Sequence, residues 1–358
     1  MKKTLKGLLN LLGLQVRRAH GGWWFGPLPR SGLLPWFASR FGWRDVAATL
    51  PEIRERWPHR QIVLLSDLAP GPDTPPIARV HCGSDPVARV QAFDLERTVF
   101  LYACDNDAIG VPYVRQIVKD GGTFFPVQSY TPARYSNIDA LARRTLEAEY
   151  ARQTAAGFQK FDFGPGDSLN LTQAIAATAH LAGAYVEVGC FRGSSACVAL
   201  AYMRERAMRR DCFFLDVFEG FVYQTARESA DAMWVGTHAT EGLDSVRERI
   251  RASAAPEAGL SATVLKCNII DEALPEGIGE IVVANIDVDL YEAVLASLVK
   301  VAPRMVVGGI IVAEDPGHTP ALIGSRLALE EFCASPAAAP FVPVYLESGQ
   351  TFLIKTRG

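Results

Sequence analysis

The sequence predicts an α/β protein whose larger part is a doubly wound, mostly parallel sheet. From about residue 165 onward, short apolar segments of strand length alternate with segments of helical periodicity. Five strand candidates are AYVEVG, CFFLDVF, ATVLKC, EIVVANIDV and RMVVGGIIVAED. The last two strand candidates, FVPVYL and TFLIKT, flank the tight turn ESGQ, which predicts a terminal hairpin. Doubly wound sheets bind ligands at the carboxyl ends of their strands, so we expect the chemistry there.

Length and composition narrow the class of protein. At 358 residues the chain exceeds the usual size of one domain, and its net charge of -3 provides no broad basic field, so we expect no nucleic-acid partner. The seven cysteines form no C-x-x-C pair, so we expect reduced, mostly buried thiols and a cytoplasmic protein. No apolar run approaches the length of a membrane span, and the N-terminus lacks an export signal.

Residues 1–43 are predicted to form a basic amphipathic helix followed by a tryptophan-rich segment. Five apolar residues share one helical face: Leu5, Leu8, Leu9, Leu12 and Val16. Five of the six tryptophans follow closely: Trp23, Trp24, Trp36, Trp43 and Trp57. This pattern suits peripheral contact with the inner face of a membrane. In the alternative, the helix packs on the protein's own surface or on a second subunit of a homo-oligomer.

Two further segments precede the large sheet. Residues 44–135 alternate between helical and strand periods, which predicts a small α/β domain with a partly parallel sheet. They contain no phosphate loop or metal cluster, so the sequence assigns this domain no function. Residues 136–164 begin with a Ser136-x-x-Asp139 capping box and continue as a polar connector helix. The large α/β domain then occupies residues 165–358.

The segment YVEVGCFRGSSACVAL, residues 185–200, is a strand, a glycine turn and the start of a helix. It has the form E-x-G-x-x-x-G, with Glu187, Gly189 and Gly193, and not the G-x-G-x-x-G of dinucleotide folds. A pyrophosphate requires a tighter turn. This longer loop suits an amino-acid tail across Gly189 and a polar head at Glu187, which predicts S-adenosylmethionine, with Ser194 also in the site. The alternative is an ordinary structural glycine turn.

The next two strand ends supply further cofactor candidates. Asp216 ends CFFLDVF and is placed to accept hydrogen bonds from both ribose hydroxyls. After the following strand, Cys267, Asn268 and Asp271 lie where the edge of the adenine is expected.

Carboxylates end two more strands and predict a metal site. Asp287 ends one strand and is also a catalytic candidate, and Glu314 with Asp315 ends the next. Three oxygen ligands suit Mg²⁺, which would lower the pKa of a substrate hydroxyl and align it with the methyl donor. Asp289 differs, because with Glu292 it forms a D-x-x-E pattern that predicts a helix cap.

Two histidines, His318 and His238, are candidates for a general base that takes the hydroxyl proton. Each is alternatively an ordinary loop residue. The segment of residues 219–242 is long enough to form a lid that keeps water from the reaction.

The motifs VEVGCFRGSS, LDVFEGF, NIDVDLYEA and VVGGIIVAEDPG, read in order, resemble class I methyltransferases of the macrocin O-methyltransferase type. The resemblance covers roughly residues 160 to 356. It implies a Rossmann-like sheet of seven strands with one antiparallel strand, S-adenosylmethionine as cofactor, and a divalent metal that assists methylation of sugar hydroxyls. The family usually has two aspartates where this chain has Glu314 and Asp315. The longer acid either ligates the metal or acts as a base.

Three functions therefore compete. The first is metal-assisted O-methylation of a sugar hydroxyl in glycan or natural-product biosynthesis. The second is metal-independent methylation of another small molecule. The third is a cofactor-binding scaffold without catalysis, against which the acids at 187, 216, 287 and 315 argue.

Overall fold

The structure is a computed structural model with two compact units, Met1–Ala140 and Leu141–Gly358. It describes residues 43–68, 70, 73–83, 85–105, 107–127, 138–157, 162–223, 226, 231–319 and 321–358. For residues 14–19 and 22–27 it describes the backbone.

The first described element is a two-stranded antiparallel hairpin. Strand β1 spans Leu14–Ala19 and pairs with β2, Gly22–Pro27. The prediction of a helix that reaches Val16 is therefore wrong at its C-terminal end, since aromatic and β-branched residues favour strand pairing. The remainder of that helix, residues 1–13, lies outside the described residues. Peripheral membrane contact stays a prediction.

A four-stranded parallel sheet organises the rest of the first unit, in agreement with its alternating pattern. The strand order is β4-β3-β5-β6, and all three pairings are parallel. Its strands are β3 Gln61–Ser66, β4 Ala78–His81, β5 Thr98–Tyr102 and β6 Thr123–Pro126. Its helices are α1 Trp43–Arg56, α2 Pro86–Gln91 and α3 Asp107–Lys119.

Two of the clustered tryptophans belong to the core of this unit. Trp43 and Trp57 pack against a buried cluster that includes Val46 and Leu64. The Trp57 ring also makes an edge contact with Phe125, with ring centroids 6.0 Å apart. The prediction that Trp43 and Trp57 contact a membrane surface is therefore wrong, because both rings pack against the core of this unit.

The connector helix α4 spans Ala140–Ala155, so Asp139 precedes the helix and does not occupy its first turn. Ser136 lies outside the described residues. The next helix, α5, spans Pro165–Ala177 and begins after Gly164. The Gly164 N–H donates to Asp167 Oδ2 at 2.9 Å, which closes the start of α5.

The second unit contains the predicted seven-stranded sheet. The strand order is β12-β13-β11-β10-β7-β8-β9, and β13 pairs antiparallel with both of its neighbours. The strands are β7 Ala184–Val188, β8 Arg210–Asp216, β9 Leu260–Lys266, β10 Ile281–Ile286, β11 Met305–Ala313, β12 Phe341–Tyr345 and β13 Thr351–Lys355. The Rossmann-like methyltransferase fold, with one antiparallel strand, is confirmed.

Helices cover this sheet, and its central strands are buried and mostly apolar, with Glu187 and Asn285 as buried polar exceptions. The helices are α6 Ser194–Glu205, α7 Leu243–Ser253, α8 Tyr291–Val301 and α9 Ile323–Ala334. Every residue of β10 is buried, as expected for a parallel strand covered on both faces. Side chains from α8 and α9, including Leu298 and Phe332, join the buried cluster around Ala284 and Ile286. The polar residues that end these strands therefore stand out from a mostly apolar sheet.

Two expectations from composition concern membranes and thiols. No helix in the described part of the chain is long and apolar enough to cross a membrane. The cysteines are free thiols, and all are buried except Cys333, in agreement with the sequence.

Candidate active site at the carboxyl edge of the sheet

Unusual backbone conformations concentrate at the carboxyl ends of the central strands. Positive φ angles occur there at Phe191 (45°), Phe218 (61°), His238 (60°) and Asp289 (54°). Residues other than glycine rarely adopt positive φ angles, and those that do cluster at functional sites.

The predicted cofactor loop contains two glycines that other residues could not replace. Gly189 has φ +92°, and a β-carbon there would lie 1.7 Å from the Asp287 carbonyl oxygen. Gly193 has φ +79°, and its β-carbon would meet the Ile250 side chain at 2.7 Å. Gly189 therefore packs on the residue that follows β10, and Gly193 packs on α7, so both glycines allow the loop to lie close against the rest of the unit.

Glu187 lies beneath the loop instead of on its surface. Its side chain is fully buried, and its carboxylate accepts hydrogen bonds from the Tyr185 and Ser195 hydroxyls, both at 2.6 Å. Burial raises the pKa of Glu187 to about 7, and the two hydroxyl donors oppose this rise. The expectation of a direct Glu187 contact with the cofactor is corrected: this residue braces strand β7 against the start of α6.

The Ser194 hydroxyl is bonded within the protein. It donates to Asp162 Oδ2 at 2.7 Å, and Asp162 also pairs with Arg192 at 3.4 Å. Only the Ser194 backbone amide, in the first turn of α6, is available to a ligand. Asp162 was not identified from the sequence, because no motif surrounds it.

Asp216 joins the two loops that flank the predicted cofactor site. Its Oδ2 accepts from the Phe191 N–H at 2.8 Å, and its Oδ1 accepts from the Phe218 N–H at 2.7 Å. Burial raises the pKa of Asp216, and these amides partly reverse that effect. Each carboxylate oxygen has a second lone pair, so the geometry leaves acceptors for ribose hydroxyls.

Asn268 and Asp271 bond mainly to each other and to nearby backbone. Asn268 Nδ2 donates to Asp271 Oδ2 at 2.7 Å, and Asn268 Oδ1 accepts from the Ile270 N–H at 3.1 Å. These bonds shape the turn after β9. A role for either residue in binding adenine stays a prediction.

An acidic cluster lies beside the cofactor loop and consists of Asp287, Asp289 and Asp315. One carboxylate oxygen of each residue lies within 4.8 Å of the others.

The prediction that Asp289 caps the following helix is wrong, because α8 has Leu290 at its N-cap and no side-chain cap there. The Tyr291 N–H instead donates to Asp231 Oδ2 at 2.8 Å. Asp231 is distant in sequence, so no local pattern could identify it.

Glu314 was predicted as a metal ligand but lies outside this cluster. Its Oε2 accepts from Gln350 Nε2 at 2.6 Å. Glu314 and Asp315 both follow the last residue of β11, and of the two only Asp315 belongs to the cluster. A role for Glu314 in binding a metal stays a prediction, and the carboxylates that the structure brings together are those of Asp287, Asp289 and Asp315.

The cluster carries more negative charge than its surroundings neutralise. Burial raises the pKa of Asp287 and of Asp315 well above the usual range, and neighbouring carboxylates raise both further. Asp167 is one of those neighbours. Asp315 Oδ2 is buried and has no hydrogen-bond partner among the described residues. Buried carboxylates without a partner are costly unless a cation or a proton compensates them.

His318 is held at both ring nitrogens. Nδ1 lies 3.1 Å from Asp315 Oδ1, and Nε2 lies 3.1 Å from the Ser348 carbonyl oxygen. A carbonyl can only accept, so Nε2 carries a hydrogen and Nδ1 faces the acid. This arrangement leaves His318 no free lone pair directed at a substrate.

His238 has the opposite arrangement. The Thr237 hydroxyl donates its hydrogen to the Trp234 carbonyl at 2.7 Å, so it must accept from His238 Nδ1, also at 2.7 Å. Neutral His238 therefore keeps a lone pair on Nε2. The exposed ring lies against Phe221, with centroids 4.8 Å apart. In its protonated state the ring lowers the pKa of Asp289 and of Asp216, against the larger effect of burial, which raises both.

The described part of the predicted lid is attached to the body of the unit. Trp234 Nε1 donates to the Ala321 carbonyl outside the segment at 2.9 Å, and within the segment the Phe221 N–H donates to the Thr237 carbonyl at 3.0 Å. Residues 224, 225 and 227–230 of this segment lie outside the described residues. Lid motion stays a prediction.

A comparison with protein families identifies the second unit. Residues 167–337 match the family described as macrocin-O-methyltransferase (TylF). The second unit is therefore an S-adenosylmethionine-dependent O-methyltransferase that is similar to this family. The match includes the glycine loop, Asp216 and the acidic cluster. No curated protein sequence matches the chain.

Solved methyltransferase structures are similar to parts of this O-methyltransferase. The O-methyltransferase NovP is 21% identical over 52% of this chain and 78% of its own, with a TM-score of 0.44. The calicheamicin methyltransferase CalS11 is 15% identical over 61% of this chain and 92% of its own, with a TM-score of 0.44. A Bacillus cereus O-methyltransferase in complex with SAH is 16% identical over 59% of this chain and 91% of its own, with a TM-score of 0.37.

Proposed function

We propose that this O-methyltransferase uses Mg²⁺, held by Asp287, Asp289 and Asp315, to methylate a sugar hydroxyl in glycan or natural-product biosynthesis. The acidic cluster carries the proposal. It combines three convergent carboxylates with a buried, unpartnered oxygen on Asp315, at the strand edge that also carries the cofactor loop.

The donor set fits a hard divalent cation. All three side chains offer oxygen, which Mg²⁺ prefers, and three carboxylates leave positions for water and substrate oxygens. Among the described residues, the groups of opposite charge that act on the cluster are the histidines His238 and His318. Two histidines cannot neutralise three aspartates when the imidazoles are uncharged.

Methyl transfer moves a methyl group from the sulfonium of S-adenosylmethionine to the hydroxyl oxygen, and the hydroxyl proton passes to a base. A bound cation would supply positive charge beside that oxygen and make the proton easier to remove. The backbone at Gly189 and the Asp216 carboxylate would hold and orient the cofactor, and alignment is the main requirement of such a transfer.

We assign the base to His238 in preference to His318. Its Nδ1–H is committed to Thr237, so Nε2 is the nitrogen that can receive a proton. The neighbouring Asp289 would stabilise the imidazolium that results. The sugar assignment is supported by the resemblance to the macrocin type, and the partner is accordingly a small-molecule or glycan acceptor.

The deciding experiment combines metal removal with Asp287→Asn, which keeps the side-chain volume and removes the charge. Calorimetry should give S-adenosylmethionine affinity within a few-fold of the wild type. Turnover on a panel of sugars and glycosides should fall at least about a hundredfold, on the order of 3 kcal/mol. EDTA should reproduce this loss in the wild type, and added Mg²⁺ should restore the wild type alone.

Asp244→Asn is the matched control, because its side chain is 94% exposed and remote from the cluster. It should turn over normally. Full turnover of the wild type in EDTA would refute the metal assignment and favour metal-independent methylation. Cofactor binding without methylation of any acceptor would favour the scaffold alternative.

A further inference from the structure

A second cavity, of about 570 Å³, lies at the opposite edge of the same sheet, where β7 and β8 begin. Its walls come from four short segments and contain four glycines: Gly183, Gly259, Gly277 and Gly279. The active site uses the carboxyl ends of these strands, so the catalytic residues discussed above do not line this cavity.

Arg210, which lines the cavity, is a buried cation without a carboxylate partner. It is 7% exposed. Its Nη1 donates to the Gly183 carbonyl at 3.0 Å and its Nη2 to the Leu181 carbonyl at 3.3 Å. Its Nε is buried and has no hydrogen-bond partner in the described part of the chain. Carbonyls solvate this guanidinium but do not neutralise it, and burial lowers its pKa.

The neighbouring Arg209 adds a second guanidinium to the same wall. Gly259 adopts φ +84°, and a β-carbon there would lie 2.9 Å from Arg209 Nε. The glycine therefore allows the guanidinium to lie on the backbone. No ion pair to Arg209 or Arg210 is present among the residues that the structure describes.

Two acids also line the cavity, and neither pairs with these arginines. The exposed Asp211 accepts the Ser261 hydroxyl at 2.7 Å. Glu280 is exposed, and its backbone carbonyl accepts the Ala184 N–H at 2.8 Å. Both acids are exposed, whereas the Arg210 guanidinium is buried and bonded to the Gly183 and Leu181 carbonyls.

We propose that this cavity binds the phosphate group of a small phosphorylated ligand between Arg209 and Arg210. Guanidinium groups bind phosphate through paired, charge-assisted hydrogen bonds. The exposed Arg209 would bind the phosphate directly, and the phosphate would supply the negative charge that the buried Arg210 lacks. The proposal does not depend on the proposed metal or acceptor, because the two sites lie at opposite edges of the sheet.

The test measures the binding of inorganic phosphate and pyrophosphate to the full chain by calorimetry, at low ionic strength. The wild type should bind pyrophosphate more tightly than phosphate. Arg209→Ala should weaken both at least tenfold, and Arg210→Gln should abolish binding. Arg251→Ala is the control, because it removes an exposed arginine of α7 that does not line the cavity.

Arg209 is exposed, so its variant should fold even if Arg210→Gln does not. Failure of the wild type to bind either anion, or equal binding by wild type and Arg209→Ala, overturns the proposal. Vesicles of phosphatidylcholine with phosphatidic acid distinguish the source of the phosphate. Sedimentation that Arg209→Ala abolishes identifies a lipid headgroup, and binding of the free anions alone identifies a soluble ligand.

Discussion

The backbone of Gly189 lies directly against the carbonyl of Asp287, so that a β-carbon on Gly189 would be 1.7 Å from that oxygen. The Asp287 N–H also donates to the Val188 carbonyl at 2.9 Å, next to the glycine. The loop that receives the cofactor and the strand end that carries the acidic cluster are therefore in direct contact. A substitution in the loop should therefore alter the position of the acidic cluster, and the reverse.

Gly189→Ala should destabilise the protein and weaken S-adenosylmethionine binding together. The left-handed backbone alone costs about 1 kcal/mol for alanine, and the collision with Asp287 adds to that cost. Gly121→Ala is a matched control, because Gly121 has φ +77° and no atom within 4 Å of the added carbon. Urea unfolding and calorimetry measure the two effects. Equal losses in both variants would contradict a specific Gly189–Asp287 contact.

Asp289→Asn and Glu314→Gln should separate the ligand set that the structure supports from the one predicted from sequence. Loss of a charged ligand should raise the Mg²⁺ concentration for half-maximal turnover at least about tenfold in Asp289→Asn, or about 1.4 kcal/mol. Glu314→Gln should have a smaller effect, since its carboxylate is bonded to Gln350. Titration of turnover with Mg²⁺ gives both values. The reverse ranking would restore Glu314 as the ligand.

His238→Gln should lower kcat while leaving cofactor affinity nearly unchanged, because a general base contributes about a hundredfold or more. The wild-type rate should decline at acidic pH, because a protonated histidine cannot act as a base. In His238→Gln this decline should be weaker. His318→Gln is the comparison, since both nitrogens of His318 are already bonded. A pH–rate profile for each variant is the measurement. If His318→Gln alone removes the acidic decline, His318 is the base.

Because of Glu187, the free energy of unfolding of the metal-free protein should fall as pH rises. Burial raises its pKa from 4.5 to about 7, so the folded state holds a proton that the unfolded chain releases between those values. Its contribution to the free energy of unfolding is greatest below the unfolded pKa. That contribution falls by on the order of 3 kcal/mol as pH rises through the folded pKa, and then levels.

Glu187→Gln removes this titration, so its free energy of unfolding in EDTA should fall less steeply with pH than that of the wild type. The acidic cluster is present in both proteins and cancels in the difference, apart from the repulsion between Glu187 and Asp287. Glu248→Gln, at an exposed position of α7, is the control and should retain the wild-type slope. Identical slopes for wild type and Glu187→Gln would mean that Glu187 is ionised in the folded state throughout this range.

Much of the fold and the outline of the site follow from local patterns. The alternation of apolar strands with amphipathic helices predicts the order of the elements, because burial on both faces makes parallel strands apolar. The same strands end in Asp216 and Asp287, and parallel topology brings such ends to one edge. Gly189 was also identifiable, since only glycine suits a turn that must approach another backbone.

The partners of each side chain depended on contacts between residues far apart in sequence. Glu187 is held by the hydroxyls of Tyr185 and Ser195 once α6 packs over β7. Asp289 is free to join the acidic cluster because Asp231, nearly sixty residues earlier, accepts from the first amide of α8 in its place. Charge at a strand end is visible in a sequence, but the direction of a carboxylate is decided by which donor, cation or neighbouring acid the packed chain brings within hydrogen-bond distance.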